Sequence, residues 1–430
     1  MSGFFYRNGE LFCEETAAAD IAQATGTPVY VYSRAAIIER YRAIAQAFNG
    51  IKHIICFSVK SCSSLGILAV LRAEGCAFDV VSGGEIFRVL AAGGEANKMV
   101  YAGVGKTDVE IRFALEKGIL MFNVESDAEL ANLDRLAGEM KTVAPVALRL
   151  NPDVDPRTHR HTTTGKKENK FGLDIKIASQ LVSRFADFPH LRLDGVHIHI
   201  GSPVNSVEPY AKAVAKAVAF VKKHESRQQP FRYINMGGGF GLVYHHENTP
   251  SFAEYAEAIV PPIKKIGRTL ILEPGRAIVG NAAVVLTQVQ YRKWNGHKTF
   301  VIVDAGMNDL IRPALYDAYH RIWPAKLPPE LPGDGDIAAV AHGCPRDHLE
   351  AVDIVGPVCE SADCFAKARL LPRVERGHLL AVFSAGAYGF SMSSNYNSRP
   401  RPAEVLVDGS SWRIIRQRET WEDLLRGEVV

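Results

Sequence analysis

The chain has little that would mark a secreted, membrane-spanning or nucleic-acid-binding protein. Its seven cysteines are an odd number in 430 residues, and none falls in a Cys-x-x-Cys pair. That argues against a disulfide framework and for a reducing, cytoplasmic setting. No uninterrupted apolar run approaches membrane-spanning length. The opening residues, Met1-Ser2-Gly3-Phe4-Phe5-Tyr6-Arg7-Asn8, lack a basic segment followed by an apolar stretch, so no secretory signal is expected. No block of like charges stands out. Fifty basic against 47 acidic residues leave a net charge of +3, which predicts neither nucleic acid nor an anionic membrane as partner. Internal repeats and low-complexity tracts are absent as well.

What is present is an ordinary globular composition, 47% apolar and 23% charged, in a chain long enough for two domains. From about residue 51 to 276, short apolar runs alternate with amphipathic stretches. The runs at 51–60, 77–82, 99–103, 120–125, 145–151, 191–201, 232–239 and 269–274 predict strands. Helices are predicted between them at 64–72, 84–92, 108–116, 127–136, 177–186, 209–222 and 252–266. Eight strands separated by seven helices predict a parallel sheet closed into a (β/α)8 barrel. The polar, basic connection at 154–169 is longer than an ordinary loop, and the length and charge of 155–167 suggest a segment that closes over substrate. Beyond Gly275, strand-like runs at 283–291, 299–303, 351–356, 379–383 and 403–407, with Pro and Gly between them, predict an all-β domain.

In such barrels the chemistry sits at the C-terminal ends of the strands, and the reactive side chains cluster there. Lys60 ends the first run; Ser82-Gly83-Gly84-Glu85 follows the second. Asn123 and Glu125 close the fourth, and Arg149 and Asn151 the fifth. His197 and His199 close the sixth, Gly237-Gly238-Gly239 the seventh, and Glu273 the eighth. A lysine finishing a buried strand is partly desolvated, which pushes its pKa down and frees its amine as a nucleophile; the plain alternative is a surface lysine with a packed stem. His197 reads equally as a satisfied core histidine, and His199, nearer the rim, is better placed to touch a bound ring. A metal reading of His-x-His exists, but no later strand supplies an obvious aspartate ligand. The glycines let backbone N–H groups turn toward an anion; a flexible turn is the alternative. Their spacing is not that of a dinucleotide fingerprint. Glu273 could hold a pyridinium nitrogen protonated, or simply pair with Arg276. Together the lysine, the histidine, the glycine cradle and the glutamate point to pyridoxal phosphate, with no metal.

These residues carry a resemblance. The chain resembles the diaminopimelate decarboxylase family of the alanine-racemase-like, fold type III pyridoxal-phosphate enzymes. The likeness runs over nearly the whole sequence, through Phe78-Asp79-Val80-Val81-Ser82-Gly83-Gly84-Glu85, Asn169-Lys170-Phe171-Gly172, His197-Ile198-His199-Ile200-Gly201-Ser202 and Glu273-Pro274-Gly275-Arg276. Asp304 to Tyr316, Cys359-Glu360-Ser361-Ala362-Asp363, Gly386-Ala387-Tyr388-Gly389 and Tyr396 to Pro402 continue it. The resemblance implies decarboxylation of meso-diaminopimelate to L-lysine, the last step of lysine biosynthesis. It implies that Lys60 forms the internal aldimine, His199 stacks on the cofactor ring and Glu273 pairs with its nitrogen. Ser202, Gly238, Gly239, Gly275, Arg276 and Tyr388 would surround the phosphate or the adjacent substrate. Arg276, Arg312 and Tyr316 would bind the distal carboxylate, Glu360 the distal amine, and Cys359 would return a proton to carbon. Cys359 and Glu360 would come from the other subunit of a homodimer with shared active sites. The N-terminal strand would join the C-terminal sheet, giving a barrel over 34–280 and a β domain from 1–33 with 281–430.

Two positions depart from the pattern. The lysine is followed by Ser61-Cys62 where Ala-Asn is usual, and Ser202 by Pro203 where Gln is usual. Three other readings remain at this stage. A sister decarboxylase of lysine, ornithine, arginine or carboxynorspermidine is disfavoured by Arg312, since a simple diamine precursor has no far carboxylate. A catalytically dead binding homologue is disfavoured by the presence of both Lys60 and Cys359. A metallohydrolase would use His197 and His199.

Overall fold

The structure, a computed structural model, describes residues 3–155, 170–226, 230–245, 247–331 and 333–430. Most of the long connection, including 156–169, lies outside the described residues. The chain divides into two compact units. One is Arg40–Val243 with Glu247–Ala277; the other is Met1–Glu39, Tyr244–His246 and Ile278–Val430.

The first unit is the barrel. Its strands are β1 (His53–Ser58), β2 (Ala77–Val80), β3 (Met99–Tyr101), β4 (Met121–Val124), β5 (Ala144–Asn151), β6 (Leu191–His197), β7 (Tyr233–Asn235) and β8 (Thr269–Leu272). Each pairs in parallel with the next, and β8 returns to β1 through Leu270–His53, Ile271–Ile54 and Leu272–Ile55, which closes the sheet. Closure leaves no open edge. Cys56, Ala77, Val100, Met121, Ala147 and Ile271 form a buried cluster drawn from six of the eight strands. Seven helices separate the strands: α1 (Leu65–Ala73), α2 (Gly83–Ala91), α3 (Asp108–Lys117), α4 (Asp127–Glu139), α5 (Ile175–Ser183), α6 (Glu208–His224) and α7 (Phe252–Lys265). Capping boxes start α3 (Thr107 with Glu110) and α7 (Ser251 with Glu254), satisfying N–H groups that a helix start leaves open.

Seven of the eight strands are shorter than the apolar runs suggest, and at four of them this bears on the site. These four stop at Ser58, His197, Asn235 and Leu272, so Lys60, His199, Gly238 and Glu273 lie just past the sheet. The backbone is diverted there: Ser58 N–H donates to Pro274 O, and Gly237 N–H to the Asn235 side chain. Lys60 sits in a 3-10 turn, Val59–Ser61. An unforeseen pair of residues, Leu173–Asp174, pairs with the last two residues of β5, Leu150 and Asn151.

The second unit is mostly sheet. Its spine is the thirteen-residue strand Ala283–Asn295, which pairs with Val29–Ser33 and Leu379–Val382 along its first half and with Lys298–Val303 along its second. Val29–Ser33 lies between Ala283–Asn295 and Ala403–Asp408, with all five side chains buried. Each large apolar side chain buried there contributes roughly 1.5–3 kcal/mol, so the N-terminal strand is integral to this sheet. The unit is the β domain that the sequence suggested, with short helices at Arg312–Tyr316, Ile337–Gly343 and Trp421–Leu424 between its strands. Two of these are started by side-chain caps, from Asp336 and Thr420.

Candidate active site

The barrel brings its charged residues to the C-terminal ends of the strands. Lys60 Nζ lies 2.9 Å from Asp79 Oδ2, and Ser58 Oγ donates to the same oxygen at 2.5 Å. The turn that carries Lys60 is held by Ser61 Oγ, which donates to Ser58 O at 2.7 Å. Gly275 packs so closely on this turn that a Cβ there would meet Ser61 Oγ at 2.8 Å. Asp79 is fully buried while the Lys60 side chain keeps 38% of its exposure, so the amine faces outward over a hidden carboxylate. Burial, then the charge of Glu273, pushes the Asp79 carboxyl up; Lys60 and the two hydrogen bonds oppose this. The apolar surroundings expected for this lysine therefore include a counter-charge.

Glu273 follows β8 and is buried. Its Oε1 accepts from Asn235 Nδ2 at 2.6 Å and from Asn123 Nδ2 at 3.3 Å, and its Oε2 lies 3.3 Å from His197 Nε2. Burial acts to raise its pKa, but the charge and hydrogen bond of His197, then Lys60 and Asn235, outweigh it and hold the carboxyl well below the usual range. The pKa of His199 is also shifted downward. Burial, then Arg149 and Lys60, lowers its pKa well below the ordinary value, so its ring is neutral. Its Nδ1 accepts the Gly238 N–H at 3.3 Å. The two histidines are thus engaged by different neighbours.

The glycines after β7 are dictated by close approach. A Cβ on Gly238 would lie 2.1 Å from Glu273 O, and one on Gly239 would lie 2.2 Å from Gly201 O. Only glycine lets this turn lie flat against the ends of β6 and β8. Tyr210 OH donates to Gly238 O at 2.7 Å and fixes it there. Ser202 follows Gly201 and is joined to Pro203 by a cis peptide; Gly275 and the buried Arg276 follow Glu273 directly.

Pyridoxal phosphate fits this donor set. An ionised, buried carboxylate suits a pyridinium nitrogen, a neutral imidazole suits a ring face, a lysine amine suits its aldehyde, and a side-chain-free turn suits its phosphate.

The remaining candidates lie in the sheet unit. Arg312 and Tyr316 share the short helix, with the guanidinium 6.0 Å from the Tyr316 ring centre. Cys359 and Glu360 occupy an exposed turn, where the Cys359 N–H donates to Asn397 Oδ1 at 2.9 Å. A hydrogen bond to Glu360 raises the Tyr396 hydroxyl. Tyr388 is half-buried with a left-handed backbone, φ 56°.

Several residues at the barrel mouth received no role from the sequence: Asp79, Asn123, Asn235 and Arg149. Arg149 Nη1 pairs with Glu125 Oε1 at 2.7 Å, and Glu125 also accepts the N–H groups of Gly103 and Gly172. Asp79 did leave a signal, a charge inside the apolar run Ala77-Phe78-Asp79-Val80, where an unpartnered carboxylate would be costly.

Comparison with known proteins agrees with this geometry. The family described as "Pyridoxal-dependent decarboxylase, pyridoxal binding domain" matches residues 34–280. Diaminopimelate decarboxylase of Pseudomonas aeruginosa is 48% identical over 100% of this chain and 99% of its own length. That of Vibrio cholerae is 43% identical over 99% and 98%. The structure of diaminopimelate decarboxylase from Helicobacter pylori complexed with L-lysine superposes with a TM-score of 0.88 at 38% identity, covering 95% of this chain and 98% of the other. The M. jannaschii enzyme in complex with L-lysine gives 0.91 at 35% identity, over 100% and 99%. This chain therefore belongs to the pyridoxal-dependent decarboxylases and, within them, to the diaminopimelate decarboxylase family.

Proposed function

We propose that this chain decarboxylates meso-diaminopimelate to L-lysine and carbon dioxide with pyridoxal phosphate as cofactor, the last step of lysine biosynthesis. The observation that carries the reading is the buried Glu273 carboxylate, with His197 Nε2 3.3 Å from one oxygen and Asn123 and Asn235 donating to the other; His197, then Lys60 and Asn235, hold it ionised. A cofactor with a ring nitrogen to protonate gives such a carboxylate a purpose. The names of the relatives and the two lysine-bound structures support the substrate.

When bound, pyridoxal phosphate supplies the electron sink for the pair left on carbon as the carboxylate departs. The chain supplies the rest. Lys60 offers its amine for covalent attachment, steered by Asp79. Glu273 keeps the proton on the pyridine nitrogen. His199, neutral, packs against the ring without adding a charge. Ser202, Gly238, Gly239, Gly275, Arg276 and Tyr388 take the phosphate and the substrate atoms beside it. Arg276, Arg312 and Tyr316 bind the distal carboxylate. Cys359 of the partner subunit returns the proton to carbon, and Glu360 of the partner subunit takes the distal amine, so the working form is a homodimer. The setting is cytoplasmic; among the described residues no helix is long and apolar enough to cross a membrane.

A substrate panel tests the reading. Meso-diaminopimelate is expected to exceed L-lysine, L-ornithine, L-arginine and carboxynorspermidine in kcat/KM. A preference for any of the other four would assign the chain to a different substrate.

A further inference from the structure

Arg312 is 6% exposed, and its orientation is fixed by contacts within the sheet unit. The guanidinium lies 5.2 Å from the Tyr244 ring centre, with Tyr316 also close by. Its Nε donates to His320 Nε2 at 3.3 Å. His320 is wholly buried, and its Nδ1 lies 2.9 Å from Phe383 O.

A carbonyl oxygen only accepts, so Nδ1 must carry the proton and Nε2 must offer its lone pair. One tautomer of the neutral imidazole satisfies both neighbours, and the Phe383 carbonyl selects it. The ring itself is held in place. Tyr244 meets it edge-on at 5.8 Å, and the His320 backbone carbonyl accepts from Arg369 Nη1 at 2.7 Å. An arginine stem is flexible, but a bond at Nε fixes the roll of the guanidinium plane, and that roll decides whether a carboxylate meets it edge-on.

We propose that His320 is a positioning residue for Arg312, fixing the guanidinium so that the enzyme favours substrates with a second carboxylate. This rests on the role proposed above for Arg312.

The test compares His320→Asn, which keeps a donor for Phe383 O but has no acceptor reaching Arg312, with His320→Gln, whose longer side chain restores an acceptor near the position of Nε2. The readouts are KM and kcat for meso-diaminopimelate, and inhibition by L-lysine, which keeps the distal carboxylate, and by cadaverine, which has none. His320→Asn is expected to raise KM about tenfold with kcat little changed, the size of one hydrogen bond to a charged group. Inhibition by L-lysine weakens in parallel, inhibition by cadaverine does not change, and His320→Gln recovers most of the loss. Where the Asn variant does not fold, His320→Met fills similar volume without the acceptor geometry and is expected to behave in the same way. Wild-type KM in the acceptor-less variant overturns the proposal. So does equal weakening toward L-lysine and cadaverine, which would mean a general structural role. Arg312→Lys separates the two levels: if it leaves KM unchanged, the reading of Arg312 itself fails. If it raises KM while His320→Asn does not, only the inference about His320 fails.

Discussion

Lys60 Nζ and Asp79 Oδ2 are 2.9 Å apart, the amine at the surface of the barrel mouth and the carboxylate sealed behind it. The pairing sets the direction in which the lysine points, because the buried partner cannot move to follow it. Asp79→Ala removes that acceptor from both Lys60 and Ser58. Affinity for pyridoxal phosphate, read by absorbance titration, is expected to fall about tenfold, the size of a charge-assisted hydrogen bond. Unchanged affinity would show that Asp79 does not steer the lysine.

The roles proposed for Lys60 and Arg312 are separable. Lys60→Ala is expected to abolish turnover and the absorbance of lysine-bound cofactor together. Arg312→Ala is expected to raise KM for meso-diaminopimelate roughly thirtyfold or more, the cost of truncating one side of a buried charge pair, and to spare more of kcat. Equal loss of kcat in both variants with KM unchanged would contradict the division.

The turn after β7 tolerates no side chain at Gly238, since a Cβ would press on the backbone oxygen of Glu273 at 2.1 Å. Gly238→Ala is expected to push the turn away from β8, lower the melting temperature by the equivalent of about 1–3 kcal/mol, and strip the cofactor on dialysis. A variant that retains cofactor as the parent does would remove this turn from the site.

Asp309, 1% exposed, gives a pH prediction. Burial pushes its carboxyl up to about 7, with Asp304 adding to the rise and the Gly306 N–H and Arg399 opposing it. The unfolded carboxyl titrates near ~3.9. Between these values the native state binds a proton that the unfolded state does not, so this group favours folding at low pH and its contribution is lost as pH rises toward 7. Asp309→Asn abolishes the titration. The stability difference between variant and parent, from urea unfolding, is expected to move in the variant's favour by up to about 4 kcal/mol across that window. A difference independent of pH would refute the assignment.

The barrel was legible because each strand is a separate apolar run bounded by an amphipathic helix. The strand ends were not. His197-Ile198-His199-Ile200 continues the alternation of a strand, yet the strand ends at His197 and the chain leaves the sheet. The helix Arg312–Tyr316 is too short for a 3.6-residue period to declare itself. Among the candidate site residues, Lys60, His199 and Glu273 could be named from the sequence because each lies at or near the end of an apolar run. Asn123 and Asn235 lie 112 residues apart, and only the closed sheet brings both to Glu273. The partnership of His320 with Arg312 depends on a carbonyl at Phe383, which no sequence pattern marks.

The most direct test is release of carbon dioxide from meso-diaminopimelate by the purified protein supplied with pyridoxal phosphate, with the amino-acid product identified. Carbon dioxide and L-lysine in equal amounts are the result expected of the proposed reaction. Protein that shows a lysine-bound cofactor spectrum yet releases no carbon dioxide from this substrate would contradict it.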